Sequence, residues 1–179
     1  MIRTRIARVA GLVAATFLLV AGTAHADVPV GPAQFVPCPG ITGNAQRYLG
    51  QPAPYRCHSA VVDPVGDVVI LRQGGFVGTS SAFGYLHALL DHNVADHVIE
   101  RVVSSAYPLT APNGRVRYIA ELRVQGRGVI SVWVEVDRKR SNRAPDPEPH
   151  GVVTAYCKYP VNPDPENKCP DWVNDSLLP

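Results

Sequence analysis

The chain has 179 residues, 46% of them hydrophobic and 18% charged, which is the size of one domain with enough apolar side chain to bury a core. Seventeen basic residues against fifteen acidic ones give a formal charge of +2, but Arg3, Arg5 and Arg8 sit in a removable first segment, and without them the balance is fourteen to fifteen. A near-neutral chain of this kind offers no bulk charge that would by itself select a partner.

Residues 1–26, "MIRTRIARVAGLVAATFLLVAGTAHA", carry a basic start, an apolar run over 9–20 and the small-x-small site Ala24-His25-Ala26. The run is short for a bilayer span, and the pattern reads as a secretory signal peptide cut after Ala26. The mature chain then begins at Asp27, is secreted and extracellular, keeps no membrane segment and loses His25. Residues 27–60 have Pro, Gly or Asn every few positions and no sustained period, which predicts an extended leader.

Cys38 and Cys57 in the leader, with Cys157 and Cys169 near the other end, make an even set in a secreted chain and favour disulfides over thiol chemistry. The local pairs Cys38–Cys57 and Cys157–Cys169 close short Pro- and Gly-rich loops, each stabilising the fold by roughly 3 kcal/mol on a chain-entropy argument. No pair has the CxxC-like spacing of a zinc site.

The core domain is expected over 61–160. "GDVVILRQGG" predicts a strand over 67–72, bounded by turn glycines. Ser80 or Ser81 can cap a helix through Phe83, Leu86, Leu89 and Leu90, with a break near "DHN". A second helical stretch runs from Asp96 through Val98, Ile99, Val102 and Val103, and Pro108 and "APNG" end it. "RVRYIAELRV" then alternates, with Val116, Tyr118, Ala120, Leu122 and Val124 on one face and Arg115, Arg117, Ile119, Glu121 and Arg123 on the other. After "QGRG", "VISVWVEVD" alternates again, so the two form a hairpin. A polar insertion separates it from a third strand, "VVTAYCKY". Residues 161–179 read as an irregular Pro-rich tail anchored by Cys169 and Trp172. The fold class is α+β: N-terminal helices packed on a small antiparallel sheet, clamped by two disulfides, in a monomer.

Three histidines fall in "GYLHALLDHNVADH", and imidazole is the side chain whose proton comes and goes near neutral pH. His87 and His92 are five apart, about 140° around an ideal helix, so they share a site only if the helix yields between them. The ordinary reading is a solvated helix face, with Asp91, Asp96 and Arg101 as neighbours of His87, His92 and His97. A metal reading from His87, Asp91, His92 and Asp96 lacks the His-x-x-x-His spacing that puts two imidazoles on one face, so no metal or cofactor is expected. Between Arg115 and Arg143 stand eight Lys or Arg and three acidic residues, a local basic face suited to a phosphate chain, with Tyr118 or Trp133 for stacking. Thr154 and Tyr156, two apart on one strand, share a face.

The helix "FGYLHALLDH", the basic antiparallel strands and the closing "GVVTAY" together resemble the compact bacterial ribonuclease toxin domains of the barnase, EndoU and colicin-like group, over residues 75–159. Where such domains carry Pro after "TAY", this chain has Cys157. The resemblance implies a metal-independent endoribonuclease with RNA as its partner and, for a toxin, an immunity or inhibitor protein as a second. Matched residue by residue, it implies catalytic roles for His87 and His92 as acid and base, with Thr154 and Tyr156 as the hydroxyl pair. Arg115, Arg117 and Arg123 are the basic residues placed to bind substrate. A different class of function remains open on the same residues: a non-catalytic, disulfide-stabilised binding or inhibitor module of the cell envelope.

Overall fold

The computed structural model describes residues 36, 38, 53–76, 78–144, 146–160 and 167–176. The expected signal peptide and most of the leader lie outside the described residues, as do 161–166 and 177–179 of the tail.

A helical turn at Ala53–Tyr55 leads into β1 (Cys57–Val62), which pairs antiparallel with β2 (Val68–Arg72). Asp63 builds the connecting turn: its Oδ1 accepts the N–H groups of Val65 and Asp67 at 3.0 and 2.8 Å, and its Oδ2 accepts the Tyr118 hydroxyl at 2.8 Å. β1 thus begins inside the segment expected to be an extended leader. The helices expected at the N-terminus come after this hairpin.

Helix α1 spans Gly84–His92, starting later than a Ser80 or Ser81 cap predicts. The reason is a non-local bridge. Gly75 and Phe83 exchange backbone hydrogen bonds of 3.1 and 3.3 Å, which hold Phe83 extended up to the first helical residue. Gly74 and Gly84 both have positive φ here, and a Cβ on Gly74 would run into the Phe83 carbonyl. At the other end Asn93 adopts the left-handed conformation, with its N–H on Leu89 O at 3.0 Å, and α2 (Asp96–Ser105) follows.

Four further strands, β3 (Leu109–Thr110), β4 (Val116–Val124), β5 (Gly128–Arg140) and β6 (Pro149–Lys158), form one antiparallel sheet in that order. Their alternation divides the sheet into two faces. Tyr118, Leu122, Val132, Val134, Ala155 and Cys157 belong to the buried face. Onto it α2 lays Val98, Ile99, Val102 and Val103, all at most 1% exposed and worth roughly 1.5–3 kcal/mol each in buried apolar surface. The tail expected to be irregular contains α3 (Asp171–Ser176), which adds Val173 to the same core. The Asn93 side chain fastens it by donating to Cys169 O and Asp171 Oδ1, each at 2.9 Å.

Both expected disulfides form, Cys38–Cys57 with Cα atoms 6.0 Å apart and Cys157–Cys169 with 5.0 Å. The fold is therefore a mixed helix and antiparallel sheet domain with two disulfides, a covalent pattern suited to an oxidising compartment.

One buried cation organises the start of β6. Arg72 is fully buried, and its Nη1 and Nη2 reach Asp146 at 2.9 and 2.7 Å. Its remaining donors go to the carbonyls of Tyr55 (2.6 Å), Pro149 (2.9 Å) and His150 (3.1 Å). A guanidinium so surrounded is satisfied, which makes its burial tolerable. It ties β2 to the first helical turn and to β6.

Candidate functional site

The second face of the sheet is polar, and strand register fixes its layout. Arg117, Glu135 and Thr154 stand in one cross-strand row, and Ile119, Trp133 and Tyr156 in the next. Antiparallel neighbours lie about 5 Å apart, so each row is a line of side chains in mutual reach.

Glu135 is the hub of the first row. Its Oε1 accepts the Arg117 Nη2 donor at 2.7 Å and the Tyr156 hydroxyl at 3.1 Å, and its Oε2 lies 3.5 Å from Arg115 Nη1. Burial pushes the Glu135 carboxyl up, but the hydrogen bonds from Arg117 and Tyr156 outweigh it and hold the group below its ordinary range. The same burial, with the Glu135 charge beside it, pushes the Tyr156 phenol up to about 12, so that it remains an O–H donor at neutral pH. Arg117 also stacks over Trp133, 4.4 Å from the ring centroid, and the Lys158 ammonium sits 5.2 Å from the Tyr156 ring.

Helix α1 packs against β6 and brings two histidines to the margin of this face. The rings of His87 and His92 lie 4.9 Å apart, edge to face, and His92 lies 5.9 Å from the Tyr156 ring. An ideal helix would set them about 140° apart in projection. They meet because His92 is the last helical residue, where Asn93 turns the chain away.

His87 is further oriented by a carboxylate. Its Nδ1 is 2.7 Å from Asp91 Oδ2, one turn along the helix, and the same oxygen accepts the Gly78 N–H at 2.9 Å. The Gly78 hydrogen bond, ahead of the His87 contact, lowers the Asp91 pKa and keeps it an anion. An ionised carboxylate only accepts, so the proton between them sits on Nδ1, and in the singly protonated ring Nε2 is then the acceptor.

Three polar atoms on this sheet face, Arg117 Nε, Trp133 Nε1 and Thr154 Oγ1, are buried with no hydrogen-bond partner among the described residues. Native structures hold few such atoms, and their concentration on one face marks the place where polar demand is unmet. The Thr154 hydroxyl is covered.

Of the residues singled out from sequence, His87, His92, Thr154, Tyr156, Arg115 and Arg117 come together. Arg123 does not: it lies six residues further along β4, roughly 20 Å from Arg117 at the strand rise, and pairs with Glu121 at 3.2 Å in the open, its side chain 60% exposed. The four residues considered for a metal are split, since Asp96 turns away to His58 at 2.8 Å. His97 reaches the Asn174 carbonyl at 2.8 Å, and His150 packs on Phe83. Tyr118 lies on the buried face, so it is not available for stacking.

Glu135 is given no role from sequence, whereas Asp91 is read there as the helix neighbour of His87 and Trp133 as a stacking residue. Glu135 was legible as an acid on an otherwise apolar strand, because the "QGRG" connection fixes the register that sets it opposite Arg117. Asp91 stands four residues after His87, the spacing of neighbours on a helix. Comparison of the chain with protein-family models, with curated proteins and with solved structures gave no match.

Proposed function

We propose that this chain is a secreted ribonuclease, or a toxin-like domain of that kind, that cleaves RNA by transesterification and requires no metal. The attacking group belongs to the substrate: the ribose 2′-hydroxyl adds to phosphorus, the new O2′–P bond forms, and the P–O5′ bond breaks. The protein must supply a base for the 2′ proton, an acid for the O5′ leaving group, and charge to meet the dianionic phosphorane.

His87 takes the first role, because Asp91 fixes its Nδ1–H and leaves Nε2 to accept. His92, beside it, gives its proton to O5′. Arg117, held by Glu135 and Trp133, faces the extra negative charge, the task of an oxyanion hole. Tyr156 and Thr154 complete that wall. The observation that carries this reading is the 4.9 Å approach of the two imidazoles at the edge of an arginine-bearing sheet face. The two disulfides suit action outside the cytoplasm.

A second reading, a non-catalytic binding module, draws on one specific observation. The Tyr156 hydroxyl and an Arg117 donor are already engaged by Glu135, and the Thr154 hydroxyl is covered.

The test is incubation of the disulfide-oxidised secreted chain with mixed RNA in EDTA, beside His87→Ala and His92→Ala. The ribonuclease reading expects products ending in 2′,3′-cyclic phosphate, lost in both variants, with each loss of an acid or base costing about 10²–10⁴-fold. Intact RNA after prolonged incubation with the wild type overturns it in favour of the binding module.

A further inference from the structure

The two edges of the four-stranded sheet differ. At β6, main-chain groups are taken by other parts of the chain: Arg72 donates to the carbonyls of Pro149 and His150, and the Cys157 N–H donates to Asn167 O at 3.1 Å. At the opposite edge β4 is met only by β3, which pairs with Val116 and Arg117 and goes no further. Pro108 precedes β3 and has no N–H with which to continue the ladder. Among the described residues no strand lies beside 118–124 on that side.

One bond fixes which groups this edge presents. The Ala111 N–H donates to Arg115 O at 2.9 Å, so the main-chain groups of Arg115 point away from β5. Those groups alternate sides along a strand, and Ile119, Glu121 and Arg123 therefore turn theirs outward as well. Proteins blunt such edges with prolines or bulges, and β4 has neither: its register against β5 is unbroken from Val116 to Val124. It carries instead two charges of opposite sign, Glu121 and Arg123, with side chains 52% and 60% exposed.

We propose that this edge pairs with the same edge of a second copy of the chain, β4 antiparallel to β4 about a two-fold axis at Leu122. Charge and space select that register. An axis at Glu121 or at Arg123 sets like charges opposite each other. One at Ala120 needs Arg117, which β3 already holds, and one at Val124 runs into the turn that the Arg127 N–H closes on Val124 O. With the axis at Leu122, Glu121 of each copy faces Arg123 of the other, and each of these pairs exchanges both of its main-chain hydrogen bonds. On the other side of the strand the same register sets Leu122 against Leu122 and Ala120 against Val124, which carries the buried face across the joint. Opposite charges on one side and apolar pairs on the other are the cross-strand combinations that stabilise a sheet. The monomer expected from sequence becomes a two-fold pair with one continuous sheet, joined by an interface of the small, transient class. The inference stands independently of the ribonuclease reading.

The test is sedimentation equilibrium of the disulfide-oxidised chain over a concentration series. The samples are wild type, Glu121→Arg, Arg123→Glu, the two single variants mixed one to one, and the double exchange. Amide hydrogen exchange of wild type is followed at low and high concentration alongside. Wild type should pass from monomer to dimer as concentration rises. Each single variant sets like charges opposite each other twice and should weaken self-association by about tenfold or more. Mixing them should restore association, because one copy then brings two arginines and the other two carboxylates, and the double exchange should restore it alone. The Glu121 and Arg123 amides of wild type should exchange more slowly at high concentration. A monomer at every concentration up to about 1 mM overturns the proposal. So does a dimer that both single variants leave unchanged, which would lie on another surface, and so does a mixture that fails to associate where wild type does. Exchange at these two amides that is equally slow at low concentration means that the chain covers its own edge, and overturns it too. The exchange comparison on wild type decides the matter even where a variant fails to fold.

Discussion

Replacing Glu135 by Gln tests the electrostatic account of the sheet face more directly than any histidine variant. The carboxylate, with its side chain 15% exposed, accepts from Arg117 at 2.7 Å and from Tyr156 at 3.1 Å. Hydrogen bonds to an ionised group contribute about 1.5–3 kcal/mol each, roughly twice a neutral bond. A Gln amide oxygen can still accept, so the substitution removes the charge-assisted part of two bonds, about 2 kcal/mol. In a domain of this size that lowers Tm by about 4–8 °C. The pH dependence supplies the control. The folded carboxyl lies below its ordinary value of 4.5, so its contribution is complete above that value and is lost as pH falls through the lowered folded pKa. Thermal melts of wild type and Glu135→Gln should therefore differ most near neutrality and converge in acid, where the wild-type carboxyl is protonated too. Equal melting temperatures at pH 7, or a gap that persists unchanged after the carboxyl has titrated, would refute the hub assigned to Glu135.

Four other outcomes follow from the same geometry. Arg72→Met leaves the half-buried Asp146 and the carbonyls of Tyr55, Pro149 and His150 without the buried guanidinium they share, and should cost about 3–5 kcal/mol in chemical denaturation, enough to unfold a marginal domain. Asp91→Asn should lower RNA cleavage by about 10²-fold or more while leaving the melting temperature within a few degrees, because it replaces an anion that can only accept by an amide whose NH2 can donate to Nδ1 and hold the opposite His87 tautomer. Arg123→Ala should change stability by about 0.5 kcal/mol or less and leave cleavage intact, since its pair with Glu121 is exposed. Reduction of Cys157–Cys169, which closes a separation of 12 residues, should lower unfolding free energy by about 3 kcal/mol, measured on a Cys157→Ser, Cys169→Ser chain.

The parts of the fold that were legible are those whose signal is local. "RVRYIAELRV" and "VISVWVEVD" alternate with period two, and that period alone assigns Tyr118 and Val134 to one side and Arg117 and Glu135 to the other. Both disulfides were legible from loop length. The misses share a cause. β1 carries His58 and Ser59 in its first half and a register shift between Cys57 and Ser59, so its six residues show no clean alternation. The start of α1 is set by the Gly75–Phe83 bridge, a contact that nothing next to Ser80 announces. α3 has six residues, too few to be stable alone, and exists because Asn93 and the Cys157–Cys169 bridge hold it. In the candidate site, the arginines and hydroxyls could be placed on one face by period, but the meeting of His87 and His92 could not. It depends on where the helix ends.

That ending is itself controlled from the far side of the chain. Cys157 directly follows Tyr156, and its bridge partner Cys169 donates its N–H to the carbonyl of His92 at 2.8 Å. The side chain of Asn93, the residue that stops α1, donates to the Cys169 carbonyl. One covalent bridge therefore fixes both the strand position of Tyr156 and the helix end that carries His92, the two residues whose rings approach within 5.9 Å. Loss of the bridge would release the tail and the helix end together. An activity seated in this cluster must then fall on reduction by more than the fraction of chains that unfold, whereas a binding surface elsewhere on the sheet would fall only in proportion to that fraction. The disulfide is thereby part of the site's geometry as well as of the fold's stability.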